Sequence, residues 1–315
     1  MNTIAHTELN AFRLCLGGSV FGWTVDERTS FRILDAYVAA GGNFIDTADS
    51  YSQWTPGNSG GESEFIIGRW LASRKIRDDM IIATKVGRKI GLSGLAPRVI
   101  NQAVDESLRR LGTDRIDVYY AHADDPETPL EVTLTALDAL IKVGKVRHIA
   151  ASNMSGARLT EALTVSRRAG LAAYVAVQPP YNLMEREPCE SDLLPVCARE
   201  GLSCVPYFAL AQGFLTGKYR AGAPVTNGAR SAAAQPYAST QRGRAVVRAL
   251  VDIAAGHGVA PAAVALAWLA ARPHVTAPLA SSRTPEQLTE LISGAHLELS
   301  SAEMESLQLA SCITD

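Results

Sequence analysis

The strongest constraint on this chain is its rhythm. A short apolar run ending in a polar residue, followed by an amphipathic helix-length stretch, repeats seven times from Phe44 to the segment after Thr284. Phe31, Leu34 and Val38 fall at i, i+3, i+7 ahead of Gly41-Gly42, which predicts a helix face and its stop. Strands are predicted at 44–46, 80–85, 116–122, 146–151, 174–178, 202–207 and 275–279. A weaker eighth is predicted at 14–16, before Gly17-Gly18. Helices fall between them, near 62–73, 100–111, 155–169, 192–200, 241–255 and 261–271. Capping boxes open three more, at Thr128-Pro129-Leu130-Glu131, Thr284-Pro285-Glu286-Gln287 and Ser300-Ser301-Ala302-Glu303. Strands that alternate with helices make a parallel sheet, and eight such units in 315 residues close into an α/β (β/α)8 TIM barrel. One domain spanning 1–315 is expected. A long loop excursion, rich in Ala, Gly and Pro, leaves it at about 217–240 before the rhythm resumes.

Composition removes several function classes. The net charge of −2 and pI near 6.3 leave no electrostatic footprint for nucleic acid or an anionic membrane surface. No apolar run approaches the ~20 residues that span a bilayer. The N-terminus lacks the basic-then-apolar layout of a signal peptide, so a cytoplasmic protein is expected. Five cysteines at no metal-ligand spacing read as free thiols, and no metal site is expected.

In a barrel the active groups belong at the carboxyl ends of the strands. Collecting them gives Asp46 with Tyr51 just beyond, Lys85, His122, Ser152-Asn153, Gln178, Tyr207 and Ser281-Ser282-Arg283. Each has an ordinary alternative: Lys85 and Asp46 as a structural ion pair, His122 as a satisfied core histidine. Together four of them make chemical sense. A tyrosine is a poor acid near neutrality, with an ordinary pKa of about 10. A neighbouring ammonium lowers that value, a carboxylate positions the ammonium, and a histidine directs a carbonyl oxygen toward the phenol. Asp46, Tyr51, Lys85 and His122 are the parts needed to protonate a developing alkoxide. Arg283, just before a helix N-terminus, suits a phosphate. Gln287 beside it is equally explained as half of a capping box.

The motifs Asp46-Thr47-Ala48-x-x-Tyr51, Ala83-Thr84-Lys85, His122-x-x-Asp125, Gly144-Lys145-Val146-Arg147 and Ser152-Asn153 resemble those of the aldo-keto reductases. So do Gln178-x-x-Tyr181-Asn182-Leu183-x-x-Arg186, Leu210-x-x-Gly213-Phe214-Leu215-Thr216-Gly217-Lys218-Tyr219 and Arg283-x-x-x-Gln287-Leu288. The resemblance runs from about Leu16 to Leu291 and lies nearest the bacterial branch that includes the potassium-channel β-subunits. It implies a barrel that binds NADP(H) and reduces a small-molecule carbonyl substrate, with Tyr51 as proton donor, Lys85 and Asp46 tuning it and His122 orienting the carbonyl. It further implies that Ser152, Asn153 and Gln178 hold the nicotinamide carboxamide and Tyr207 stacks on its ring. Leu215, Gly217 and Lys218 would cover the pyrophosphate, while Ser282, Arg283, Gln287 and Glu290 would meet the 2′-phosphate and adenosine end.

Six positions depart from the family pattern: Ala150, Pro180, Phe208, Ser281, Ser282 and Leu291. Phe208, Trp23, Trp54 and Met184 are candidates for the substrate pocket, and loop packing explains the last three equally well. Arg88 and Lys89 could meet a substrate anion or form a solvated loop. The alternatives to a reductase are a cofactor-sensing regulatory subunit and an NAD(P)-dependent sugar or cyclitol alcohol dehydrogenase on the same fold. A homo-oligomer is left open.

Overall fold

Eight short parallel strands form the sheet that the alternation demands. They are β1 (Cys15–Gly17), β2 (Phe44–Asp46), β3 (Ile81–Val86), β4 (Ile116–Ala121), β5 (Val146–Ser152), β6 (Ala176–Gln178), β7 (Ser203–Cys204) and β8 (Leu279–Ala280). The structure, a computed structural model, describes residues 1–218 and 231–312. Strands β1 to β7 pair in chain order, and β8 pairs with β1. Three backbone bonds join the free edges. Cys204 N donates to His274 O at 2.8 Å, Thr276 N to Cys204 O at 2.9 Å and Leu279 N to Pro206 O at 2.9 Å. The sheet thereby curls into the expected (β/α)8 barrel.

The helices pack outside. They include α1 (Glu27–Ala39), α2 (Glu62–Arg74), α3 (Pro97–Leu111), α4 (Leu130–Lys142), α5 (Gly156–Ala169) and α6 (Leu194–Glu200). The later ones are α7 (Ser231–Ser239), α8 (Gln241–His257), α9 (Pro261–Ala270), α10 (Pro285–His296) and α11 (Ser301–Ser311). Alternation along each strand splits the apolar residues into two layers. Ile45, Ile82, Tyr119, Ile149 and Val177 face the helices, whereas Phe44, Ala83, Val118, Tyr120, Ala150 and Ala176 fill the barrel. The inward parity carried one or two steps further along each strand falls on Asp46, Lys85, His122, Ser152 and Gln178. The period of two aims these polar groups at the carboxyl mouth.

Several expectations change. Thr128 forms no capping box, because its hydroxyl donates to Asp125 Oδ2 at 2.8 Å and Pro129 takes the cap position without a side-chain bond. The strands expected at 174–178 and 202–207 shorten to β6 and β7. The one expected at 275–279 contributes only Leu279 to β8, the rest being spent on closing the barrel. A turn of π-helix, Cys189–Leu193, precedes α6. The excursion at about 217–240 holds α7, and its residues 219–230 lie outside those described. An antiparallel ribbon of Asn2–Thr3 with Asn10–Ala11 carries Ile4, Leu9 and Ala11 into the barrel's inner layer. A second ribbon, Arg88–Lys89 with Leu92–Ser93, follows β3. The sequence reading anticipated neither. Among the described residues no single helix is long and apolar enough to cross a membrane.

Candidate active site

Asp46 ends β2 and Lys85 lies near the end of β3, both on the inward face and both 0% exposed. Beyond Asp46 the chain stays beside β3, with Thr47 N bonded to Ala83 O and Asp49 N to Lys85 O. It then turns so that Tyr51 N bonds Ala48 O. That turn lays the Tyr51 phenol over the lysine. The Lys85 ammonium donates to Asp46 Oδ2 at 2.6 Å, to the Thr47 carbonyl at 2.7 Å and to the Tyr51 oxygen at 2.9 Å. All three of its N–H donors are thus committed. Gln178 Nε2 donates to Asp46 Oδ1 at 2.9 Å and fixes the carboxylate from the other side. Tyr51 itself lies 3.3 Å from Asp46 Oδ2.

The electrostatics correct one expectation. The phenol is not made acidic: burial, and then the Asp46 carboxylate, push Tyr51 well above the ordinary tyrosine range. Burial and the carboxylate at 3.3 Å prevail over the closer ammonium at 2.9 Å. His122 moves the opposite way. Burial, then the charges of Lys85 and Arg88, hold it well below the usual histidine range, so the imidazole is neutral near pH 7. Its ring centroid stands 6.1 Å from that of Tyr51, and its Nδ1 is buried without a partner among the described residues.

A cavity of about 880 Å³ opens above this group and continues to the start of α10. Tyr51, His122, Ser152, Asn153, Gln178 and Tyr207 line it at the strand ends, while Lys218, Arg283, Gln287 and Glu290 line it further along. Trp23, Trp54 and Phe208 form an aromatic rim. The two tryptophan rings meet edge-on at 5.5 Å, and Phe208 meets Tyr207 at 4.6 Å.

Other positions behave differently from the expectation. Ser152, Asn153 and Gln178 converge, but on one another: Ser152 Oγ donates to the Gln178 carbonyl at 2.9 Å, and Asn153 Nδ2 donates to the His122 carbonyl at 2.8 Å. Tyr207 donates to Asn153 Oδ1 at 2.6 Å, which holds its ring. Three expected positions do not open onto the cavity. Leu215 is packed in the outer core, Gly217 sits against Pro261, and Ser282 is buried with its hydroxyl unpartnered among the described residues. Parity explains the last: Leu279 points into the barrel, so Ser281 points toward the cavity and Ser282 away. Gln287 turns back, its Oε1 accepting from Arg283 N at 3.0 Å, while Thr284 caps α10 through Gln287 N. Met184 is core, not rim. The sequence reading collected Ser281 at the strand ends but missed Gln212 and the Ala260–Ala262 stretch of the wall.

A lysine-bridged carboxylate and phenol at the mouth of a parallel barrel, under one long cavity, define an oxidoreductase of the α/β-barrel class. The comparisons place it further. The model of the aldo/keto reductase family matches residues 13–311, and the chain belongs to that family. It is 34% identical to the uncharacterized oxidoreductase YrpG of Bacillus subtilis (strain 168), over 94% of this chain and 91% of that protein. Protein tas of Escherichia coli (strain K12) is 34% identical over 96% of each chain. Norsolorinic acid reductase B of Aspergillus parasiticus is 32% identical over 94% of this chain and 80% of its own.

Proposed function

We propose that this protein is an NADPH-dependent carbonyl reductase in which Tyr51 is the general acid. The observation that carries the reading is the Lys85 ammonium, buried and triply bonded, with its third bond on the Tyr51 oxygen. The similarity to norsolorinic acid reductase B supports the direction of reduction. The whole chain is read as one barrel domain.

The cavity fits a dinucleotide. Arg283 is exposed at the N-terminus of the twelve-residue α10 and has no ion-pair partner among the described residues. Lys218 lines the same end, so an anion there meets two cations and a helix dipole. Arg283 is the group that favours the phosphorylated cofactor. At the other end Tyr207 would lie against the nicotinamide, its ring held by Asn153. When bound, the reduced nicotinamide supplies hydride to the carbonyl carbon.

The residues handle the proton. A neutral His122 offers an N–H rather than a second cation, and it sits beside Tyr51 where a carbonyl oxygen would be shared between them. The raised pKa of Tyr51 keeps its proton in place across the physiological range. As negative charge develops, Lys85 already donates to the phenol oxygen and stabilises the phenolate left by proton transfer. Asp46, Thr47 and Gln178 hold that ammonium without rearrangement. The lysine therefore acts on the transition state more than on the resting acidity.

The reading is tested by following loss of reduced nicotinamide with purified protein against aromatic, aliphatic and sugar-derived carbonyls, with NADPH and NADH in parallel. Turnover that depends on both carbonyl and NADPH is expected. Failure to oxidise NADPH with every carbonyl in the panel would contradict it.

A further inference from the structure

The arginine beside the tetrad has no structural employment. Arg88 opens the ribbon after β3, and its backbone is fixed from across the cavity mouth. Gln53 Nε2 donates to Arg88 O at 3.1 Å, and Gln53 Oε1 accepts from Ile90 N at 2.9 Å. Its neighbour Lys89 pairs with Glu106 at 3.1 Å. The Arg88 guanidinium, by contrast, has no carboxylate or carbonyl within bonding distance among the described residues, although it lines the cavity. Its charge acts on both His122 and Tyr207, which places it at the catalytic end. The other charged side chains lining the cavity are Lys218, Arg283 and Glu290, and these belong to its far end. Around Arg88 the walls are aromatic: Tyr51 and Trp54 meet at 6.2 Å, Trp54 and Trp23 at 5.5 Å.

We infer that Arg88 is a specificity residue that receives the carboxylate of a flat, aromatic carbonyl substrate. The inference rests on the reductase reading for its catalytic consequence, but not for binding. A guanidinium fork pairs with a carboxylate through two parallel N–H bonds. A single cation matches a single negative charge, whereas a dianionic phosphate would call for a second. The tryptophan rim supplies planar apolar surface for a ring, and the carboxylate lies at the open side where Arg88 is exposed.

The experiment compares para-carboxybenzaldehyde with its methyl ester at saturating NADPH, in wild type, Arg88→Met, Arg88→Lys and Arg88→Glu. The ratio of kcat/KM for acid over ester is expected to fall roughly tenfold in Arg88→Met, carried by KM of the acid. Arg88→Lys keeps part of the ratio, and Arg88→Glu lowers it further. A ratio unchanged by Arg88→Met overturns the inference. So does an equal loss on both aldehydes with weaker NADPH binding, which would assign Arg88 to the cofactor. If wild type reduces neither aldehyde, binding decides the role of Arg88, and the reductase reading stands or falls on the wider carbonyl panel. Quenching of Trp23 and Trp54 fluorescence then gives Kd for each compound. A roughly tenfold weakening by Arg88→Met for the acid alone sustains the inference, and equal Kd values in both proteins overturn it.

Discussion

The two ends of the cavity are built on opposite plans. At the strand ends, Asp46 and Lys85 are fully buried and bonded to one another, to Gln178 and to a backbone carbonyl. At the α10 end, Arg283 and Lys218 are exposed, and the Arg283 guanidinium has no ion-pair partner among the described residues. The first plan removes freedom: a buried ion pair gains little over an apolar pair, but it fixes the phenol to within a hydrogen bond. The second leaves cations free to meet an incoming anion. Chemistry calls for the rigid end and recognition for the open one, and a single cavity joins them.

If the contrast is right, disturbing the buried end affects stability and rate together. Lys85→Met leaves the Asp46 carboxylate buried without its cation, at a cost of about 3–5 kcal/mol in unfolding free energy. It also lowers kcat by at least 100-fold. Urea unfolding and steady-state kinetics on the same preparation check both, and a rate loss without a stability loss would break the comparison.

Asp49 probes the same region by pH. Both its carboxyl oxygens are buried without partners among the described residues, and burial, then the nearby Glu64 carboxylate, raise it from 3.8 to about 7. The folded state therefore holds this proton more tightly than the unfolded state. Its contribution is fully present below pH 4 and is lost as pH rises through about 7, amounting to at most about 4 kcal/mol. Asp49→Asn, which cannot ionise, is expected to stabilise the protein at pH 8 and to change it little at pH 4. Denaturation midpoints that shift equally at the two pH values would contradict the buried-acid assignment.

The open end yields the smallest effect. Arg283→Ala is expected to weaken NADPH binding roughly tenfold with no effect on unfolding. NADH affinity stays within twofold, read by titration of reduced-nicotinamide fluorescence. Equal losses for the two cofactors would sharpen the comparison against a 2′-phosphate contact.

Much of this was legible in the sequence because polar residues ending apolar strands carry parity with them. Asp46, Lys85, His122 and Gln178 could be placed at one rim from their position in the rhythm alone. Parity also decides between Ser281 and Ser282, but the strand Leu279–Ala280 is too short to display its own register in the sequence. Closure of the barrel was inferred from the count of units. The three bonds that achieve it come from Cys204, Thr276 and Leu279, which carry no signature. The strands of the ribbon Asn2–Ala11 are only two residues long, so no period could reveal it. The acidity of Tyr51 was misjudged for another reason. A motif names the charges present but neither their burial nor their distances, and burial, then an Asp46 carboxylate 3.3 Å from the phenol, sets the direction.

Tyr51→Phe isolates proton donation from everything else, because it removes one oxygen and leaves the ring, the lysine and the cavity. Carbonyl reduction at saturating NADPH should fall by roughly 100- to 10,000-fold, while the Kd for NADPH stays within about twofold of wild type. A kcat equal to that of wild type would show that the proton comes from elsewhere.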